Sequence, residues 1–113
     1  MLAYVDVDGL KSTNDRHGHA AGDAMLCDVA AALRSNLRSY DPIARWGGDE
    51  FICTFSDTID AAHDRLEEAR AALVQMQPGA SISVGLAELR PDDTFEALIE
   101  RADRALLEAR PGP

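Results

Sequence analysis

Two acidic pairs stand out by their setting. Asp6 and Asp8 close the apolar run LAYVDVD, and Asp49 and Glu50 follow a double glycine in RWGGDEF. Residues two apart on a strand point to one face, so Asp6 and Asp8 share a face and Val7 takes the other. Carboxylates held close repel and need a counter-charge. If folding joins the pairs, a divalent cation with oxygen ligands is the natural one. Mg²⁺ typically takes one or two carboxylates and completes its shell with substrate phosphates. Gly9 and Lys11 follow the first pair. A glycine lets backbone amides approach a phosphate, and a lysine adds a point charge. Asn14 and Asp23 then supply a donor/acceptor and a pure acceptor. Such a pair suits a guanine edge, where a carboxylate accepts from N1–H and the exocyclic amine.

Other metal and phosphate patterns fail. A calcium loop counted from Asp6 would need an acid or Asn, a Gly and a Glu where Leu10, Lys11 and His17 stand. The Gly-x-x-x-x-Gly-Lys order of a Walker loop is absent, and so is any Cys-x-x-Cys knuckle. His17 and His19 have no metal-ligand spacing with a second cluster, and His63 reads as an exposed helix residue. Taken singly, Asp6 and Asp8 read as solubilising acids at a strand end, Asp49-Glu50 as a polar turn, Asn14 as a loop residue bonded to its own backbone, Asp23 as a helix N-terminal acid, and Lys11 as a surface lysine. Only the combination points to a Mg²⁺–phosphate site.

Seven elements must position these residues. LAYVDVD predicts a strand. Residues 21–40 predict a helix with Leu26, Ala30, Leu33 and Leu37 on one stripe. PIARW and FICTF predict a hairpin joined by the four residues GGDE. Residues 58–76 predict a second amphipathic helix, ended by QPG. ASISVGLAEL alternates, with Ile82, Val84 and Leu86 facing one way. Asp93-Thr94-Phe95-Glu96 reads as a capping box opening a third helix. The order is β-α-β-β-α-β-α. Its first six elements match a ferredoxin-like split βαβ fold, an α+β class with a mainly antiparallel sheet and helices on one face. In that layout the end of the first strand lies beside the hairpin.

Composition sets outer bounds. The 113 residues predict a single domain spanning 1–113, and 46% apolar content places it among globular chains. A net charge of −9 argues against a broad nucleic-acid-binding face. No apolar run approaches a membrane span, and MLAYVDVDG lacks the basic start of a signal peptide. Cys27 and Cys53 sit in apolar patterns and read as reduced core residues of a cytoplasmic protein.

Taken in order along the chain, the motifs resemble the GGDEF-domain diguanylate cyclase family. GGDEF itself occupies Gly47 to Phe51. DVDGLKSTNDRHGHAAGD resembles the family's Asp-x-Asp-x-Phe-Lys-x-x-Asn-Asp and Gly-His-x-x-Gly-Asp block, and SISVGLAEL with ERADRALLEAR resembles its later strand and helix. The resemblance implies a palm-like nucleotidyl-cyclase fold and Mg²⁺- or Mn²⁺-dependent condensation of two GTP into cyclic di-GMP with release of pyrophosphate. It implies metal ligation by Asp6, Asp49 and the Val7 carbonyl. Glu50 would support the metal or help deprotonate the attacking hydroxyl. Lys11 and the Gly9–Leu10 amides would hold the triphosphate, Asn14 and Asp23 the guanine. Gly47 and Gly48 would leave room for the nucleotide, and Arg110 stands where the family has a phosphate-binding lysine. Arg38 and Asp41 match the family's Arg-x-x-Asp inhibitory site for cyclic di-GMP. Activity would require a second such domain, as in a homodimer. Leu10 replaces the family's usual aromatic, and the chain is expected to lack the family's N-terminal helix and C-terminal tail. The alternative is a catalytically inactive module that binds GTP or cyclic di-GMP.

Overall fold

Every residue of the first strand, β1 (Leu2–Val7), is buried. Such a strand needs neighbours on both edges and cover on both faces. A computed structural model describes residues 1–110 of the chain; residues 111–113, where the family's tail is expected to be missing, lie outside them. After β1 come α1 (Leu10–His17), α2 (His19–Asn36), β2 (Ile43–Arg45), β3 (Glu50–Thr54), α3 (Ile59–Met76), β4 (Ile82–Ala87) and α4 (Phe95–Ala109). The four strands form an antiparallel sheet in the order β2-β3-β1-β4, the split βαβ arrangement.

Strand alternation sorts β1 between two cores. Ala3, Val5 and Val7 pack with Val29 and Leu33 of α2 and Leu66 and Leu73 of α3. Leu2 and Tyr4, with Ile52 of β3, pack with Leu98, Ala102 and Leu106 of α4. Among the six elements of the split βαβ unit, helices do share one face. The last helix covers the opposite face, so the sheet is sandwiched.

Several expected details shift. The segment read as a loop after Gly9 is the helix α1. It buries no residue and carries no apolar stripe, so periodicity gave no sign of it. Gly9 starts it in the left-handed region (φ 72), where only glycine sits without strain. The long helix after it ends at Asn36 rather than Tyr40. There Arg34 donates to the carbonyls of Arg38 and Asp41 and holds the chain in a turn. The hairpin connection is Trp46–Asp49, and Glu50 already heads β3. Thr94 caps α4, accepting from the Ala97 amide at 3.1 Å. Asp93, the expected first member of the capping box, instead accepts from the Arg90 amide at 2.7 Å and from the Arg101 guanidinium. Cys53 is in the core, whereas Cys27 is exposed; both are free thiols.

Candidate functional site

Antiparallel register sets Asp6 opposite Glu50 on one side and opposite Ser83 on the other. The Val7 amide donates to the Asp49 carbonyl at 2.8 Å and ties the GGDE turn to the end of β1. Asp6, Asp49 and Glu50 therefore meet at one corner of the sheet. Asp6 is only 8% exposed. Burial, followed by the Asp49 carboxylate, raises its pKa to about 6, and Arg110 opposes that rise. The Asp6 and Asp49 carboxylates are near enough for the charge of one to disfavour ionisation of the other. Glu50 is turned aside: its Oε2 accepts from the Tyr4 hydroxyl at 2.7 Å. Burial and the Glu50 carboxylate push the Tyr4 phenol well above its ordinary pKa.

Asp8 does not join this cluster. Its carboxylate accepts from the Ser81 and Ser83 hydroxyls, each at 2.7 Å, and braces the end of β1 against β4. The convergence of both acid pairs is thus corrected: Asp6 and Asp49 adjoin, Glu50 next to them is turned to Tyr4, and two serine donors claim Asp8.

The cluster suits a hard cation. Its side-chain donors are all carboxylate oxygens, and like-charge repulsion already disfavours their joint ionisation. Among the described residues no three His, Cys, Asp or Glu side chains close around one point. A cation here must draw further ligands from backbone, water or phosphate, as Mg²⁺ does. Val7, whose carbonyl is an expected ligand, ends β1 directly beside the pair.

Two residues past Val7, Gly9 opens α1 without a side-chain cap. The first amides of a helix lack intrahelical partners, and Leu10 of the expected Gly9–Leu10 pair supplies the first of them. Lys11 is exposed on this turn. Asn14, one turn on, holds its side-chain Oδ1 buried with no hydrogen-bond partner. That oxygen sits 1.8 Å from where a Cβ on Gly22 would stand, so Gly22 makes the room that Asn14 uses. Asp23 is exposed on α2 and lines a cleft of about 410 Å³ with Leu26, Cys27, Ala30, Arg45 and Phe51.

The turn glycines differ from each other. A Cβ on Gly48 would meet nothing within 4 Å, but one on Gly47 would stand 2.3 Å from Glu50 Oε1. Neither has positive φ. Gly47 therefore makes room for a side chain of the protein itself. Arg110, at the C-terminal end of α4, pairs with Asp6 rather than standing free for phosphate. Arg38 lies over the Tyr40 ring and pairs with Asp57 at 3.0 Å. Asp41 is buried, and its carboxylate accepts from the Arg38 amide at 2.9 Å. Sequence reasoning passed over Tyr4, Ser81 and Ser83. The two-residue period that pairs Asp6 with Asp8 also pairs Asp6 with Tyr4, and was the one signal that pointed there.

A family model described as "Diguanylate cyclase, GGDEF domain" matches residues 1–112. The chain is 38% identical to diguanylate cyclase DgcP of Pseudomonas aeruginosa, over 97% of this chain and 18% of that protein. It is 33% identical to diguanylate cyclase DgcM of Escherichia coli, over 96% of this chain and 28% of that protein. It thus spans less than a third of either relative. Among solved structures, the GGDEF domain of DgcB from Caulobacter crescentus in complex with c-di-GMP aligns with a TM-score of 0.87 at 30% identity, over 95% of this chain and 69% of that one. Diguanylate cyclase SiaD of Pseudomonas aeruginosa, in complex with its activator SiaC, aligns with a TM-score of 0.86 at 38% identity, over 96% of this chain and 45% of that one.

Proposed function

The chain belongs to the diguanylate cyclase GGDEF-domain family, and from that premise we propose that it condenses two GTP into cyclic di-GMP and two pyrophosphates. The 3′-hydroxyl of each GTP attacks the α-phosphorus of the other, and pyrophosphate leaves with the electron pair of the broken bond. The observation that carries this reading is the approach of Asp6 and Asp49, with Glu50 next to them in the strand register, beside the open N-terminus of α1. Phosphoryl transfer of this kind rests on positioning and charge neutralisation more than on covalent catalysis.

Each residue has a part. Asp6, Asp49 and the Val7 carbonyl would hold Mg²⁺ or Mn²⁺, which when bound lowers the pKa of the attacking hydroxyl and balances charge on the leaving pyrophosphate. The Gly9 and Leu10 backbone, with Lys11, holds the phosphates. Glu50 stands ready beside the metal ligands to support them or to take the hydroxyl proton. Asn14 and Asp23 read the guanine, and the open space at Gly48 admits the nucleotide. Arg110 would move from Asp6 to phosphate once a cation takes over its neutralising role. One domain holds one GTP, so a second copy must face the first across a two-fold axis. The reaction would run in the cytoplasm, where free thiols such as Cys27 and Cys53 persist. Arg38 belongs to the same proposal as the surface half of a product-inhibition site. Asp41 would act through the turn it closes around Arg38.

The test is incubation of concentrated protein with GTP and Mg²⁺, with product analysis. Cyclic di-GMP is the expected product, and Asp49→Ala is expected to abolish both product and metal-dependent GTP binding. Absence of product at every protein concentration overturns the cyclase reading. GTP or cyclic di-GMP binding without turnover would then establish the inactive module, which the Arg110–Asp6 pairing favours.

The guanine assignment has its own test. Gly22→Ala drives the Asn14 carbonyl oxygen from its seat, and the loss of one hydrogen bond to a buried group costs about 1–3 kcal/mol. The expected result is GTP binding weakened about tenfold with reduced preference over ATP, measured by calorimetry, and an unchanged melting temperature. Unchanged GTP affinity would detach Asn14 from the base.

A further inference from the structure

We propose that Tyr4 is a positioning residue for Glu50, fixing the one acid of the cluster that does not face the others. What Glu50 then does rests on the cyclase reading above; the geometry that holds it does not. Tyr4 lies two residues before Asp6 on β1, so both side chains share the face covered by α4. Its ring is 6% exposed and packs in the apolar cluster with Leu2, Ile52 and Leu98. A ring so enclosed has a fixed hydroxyl position. That hydroxyl donates to Glu50 Oε2 at 2.7 Å, a reach that the register explains: Tyr4 faces Ile52, and Asp6 faces Glu50 one pleat on.

The other oxygen of the same carboxylate depends on Gly47 for its room. Oε1 occupies the space that a Cβ on Gly47 would fill, at 2.3 Å. The carboxylate is therefore held by a donor at one oxygen and admitted by the absence of a side chain at the other. Without these it has reason to leave. Asp6 and Asp49 repel it, and a free glutamate gains rotamer entropy in solvent. Among the described residues no other side chain donates to Glu50. A tyrosine serves here because its ring fills the apolar cluster while its hydroxyl reaches out of it as a hydrogen-bond donor.

Tyr4→Phe removes the donor and keeps the ring. Loss of a partner that orients a metal-site group typically costs 10–100-fold in activity. With GTP and Mg²⁺, kcat is expected to fall by about that factor, with KM and melting temperature nearly unchanged. In a double-mutant cycle, Tyr4→Phe is expected to add nothing to Glu50→Ala, because its effect passes through Glu50. Additive losses, or a variant as active as the parent, would overturn the proposal. A second readout is independent of turnover. Side-chain ¹³C couplings of Glu50 are expected to report one rotamer in the parent chain and averaging in Tyr4→Phe; unchanged couplings overturn the proposal even if the parent makes no product. A parent without product removes the cyclase reading and leaves the couplings to decide on Tyr4.

Discussion

Asp6→Asn is expected to stop cyclic di-GMP synthesis and yet to raise the melting temperature of the metal-free chain at pH 7.5. The loss follows from the site. Asp6 is one of two carboxylates proposed to share the cation, and a metal ion contributes several kcal/mol of charge stabilisation in the transition state, so a decrease of about 10³-fold is expected. The gain follows from what the metal-free fold imposes on Asp6. Burial first, and the Asp49 carboxylate second, raise its pKa from 3.8 to about 6, even with Arg110 lowering it. The folded chain then binds more protons than the unfolded one between those values, so stability falls as pH rises through that window. Below it both states are protonated and the penalty vanishes; above about pH 6 it is complete. Asparagine carries no charge to bury. The difference in melting temperature between variant and parent, measured in chelator, is therefore expected near zero at about pH 3 and largest above pH 6. A difference that is flat with pH, or negative at pH 7.5, defeats this account. Adding GTP with Mg²⁺ is expected to reverse the order, because a ligand that binds only the folded parent stabilises it by mass action.

That trade explains why the acid pair could be read from the sequence. Two acids ending an apolar strand and two more on a glycine turn contradict simple burial, and a local contradiction of this kind marks a site. The helices were legible for the opposite reason: Leu66, Ala69 and Leu73 of α3, or Leu98, Ala102 and Leu106 of α4, repeat with the helical period because one face is buried. α1 escaped notice because it buries nothing. Asp8 was placed on the correct face but assigned the wrong partners, since its serines, one just before β4 and one on it, lie far along the chain. The same holds for Arg110, which meets Asp6 only after the whole sheet has formed. Local pattern reports which residues face inward. It does not report which of several distant groups will meet a given carboxylate. The covering of the second sheet face belongs to the same class: the apolar stripe of α4 was visible, but the side it would take was not.

Glycines give the sharpest contrast between what protects the fold and what serves the site. Gly85 on β4 faces Tyr4 across the sheet, under α4. A Cβ there would stand 2.1 Å from the Ala102 carbonyl oxygen and 2.3 Å from the Leu106 amide nitrogen. Both are backbone atoms of one helix, so no rotamer change relieves the clash. α4 must lift away from the sheet, carrying the buried Leu98, Ala102 and Leu106 with it. Gly85→Ala is therefore expected to cost about 3 kcal/mol, the upper end of ordinary overpacking, and to lower the melting temperature on the order of 10–20 °C. The damage extends to the site, because α4 covers Tyr4 and ends at Arg110. Gly48→Ala is the control. Its Cβ meets nothing within 4 Å, so stability is expected to stay within about 0.5 kcal/mol of the parent. GTP turnover should still fall sharply, since the space beside Gly48 is proposed to belong to the nucleotide. Thermal melting and product formation on the two variants separate these roles. Equal melting temperatures for Gly85→Ala and the parent would refute the close seating of α4 on the sheet, and a fully active Gly48→Ala would remove the nucleotide from that space.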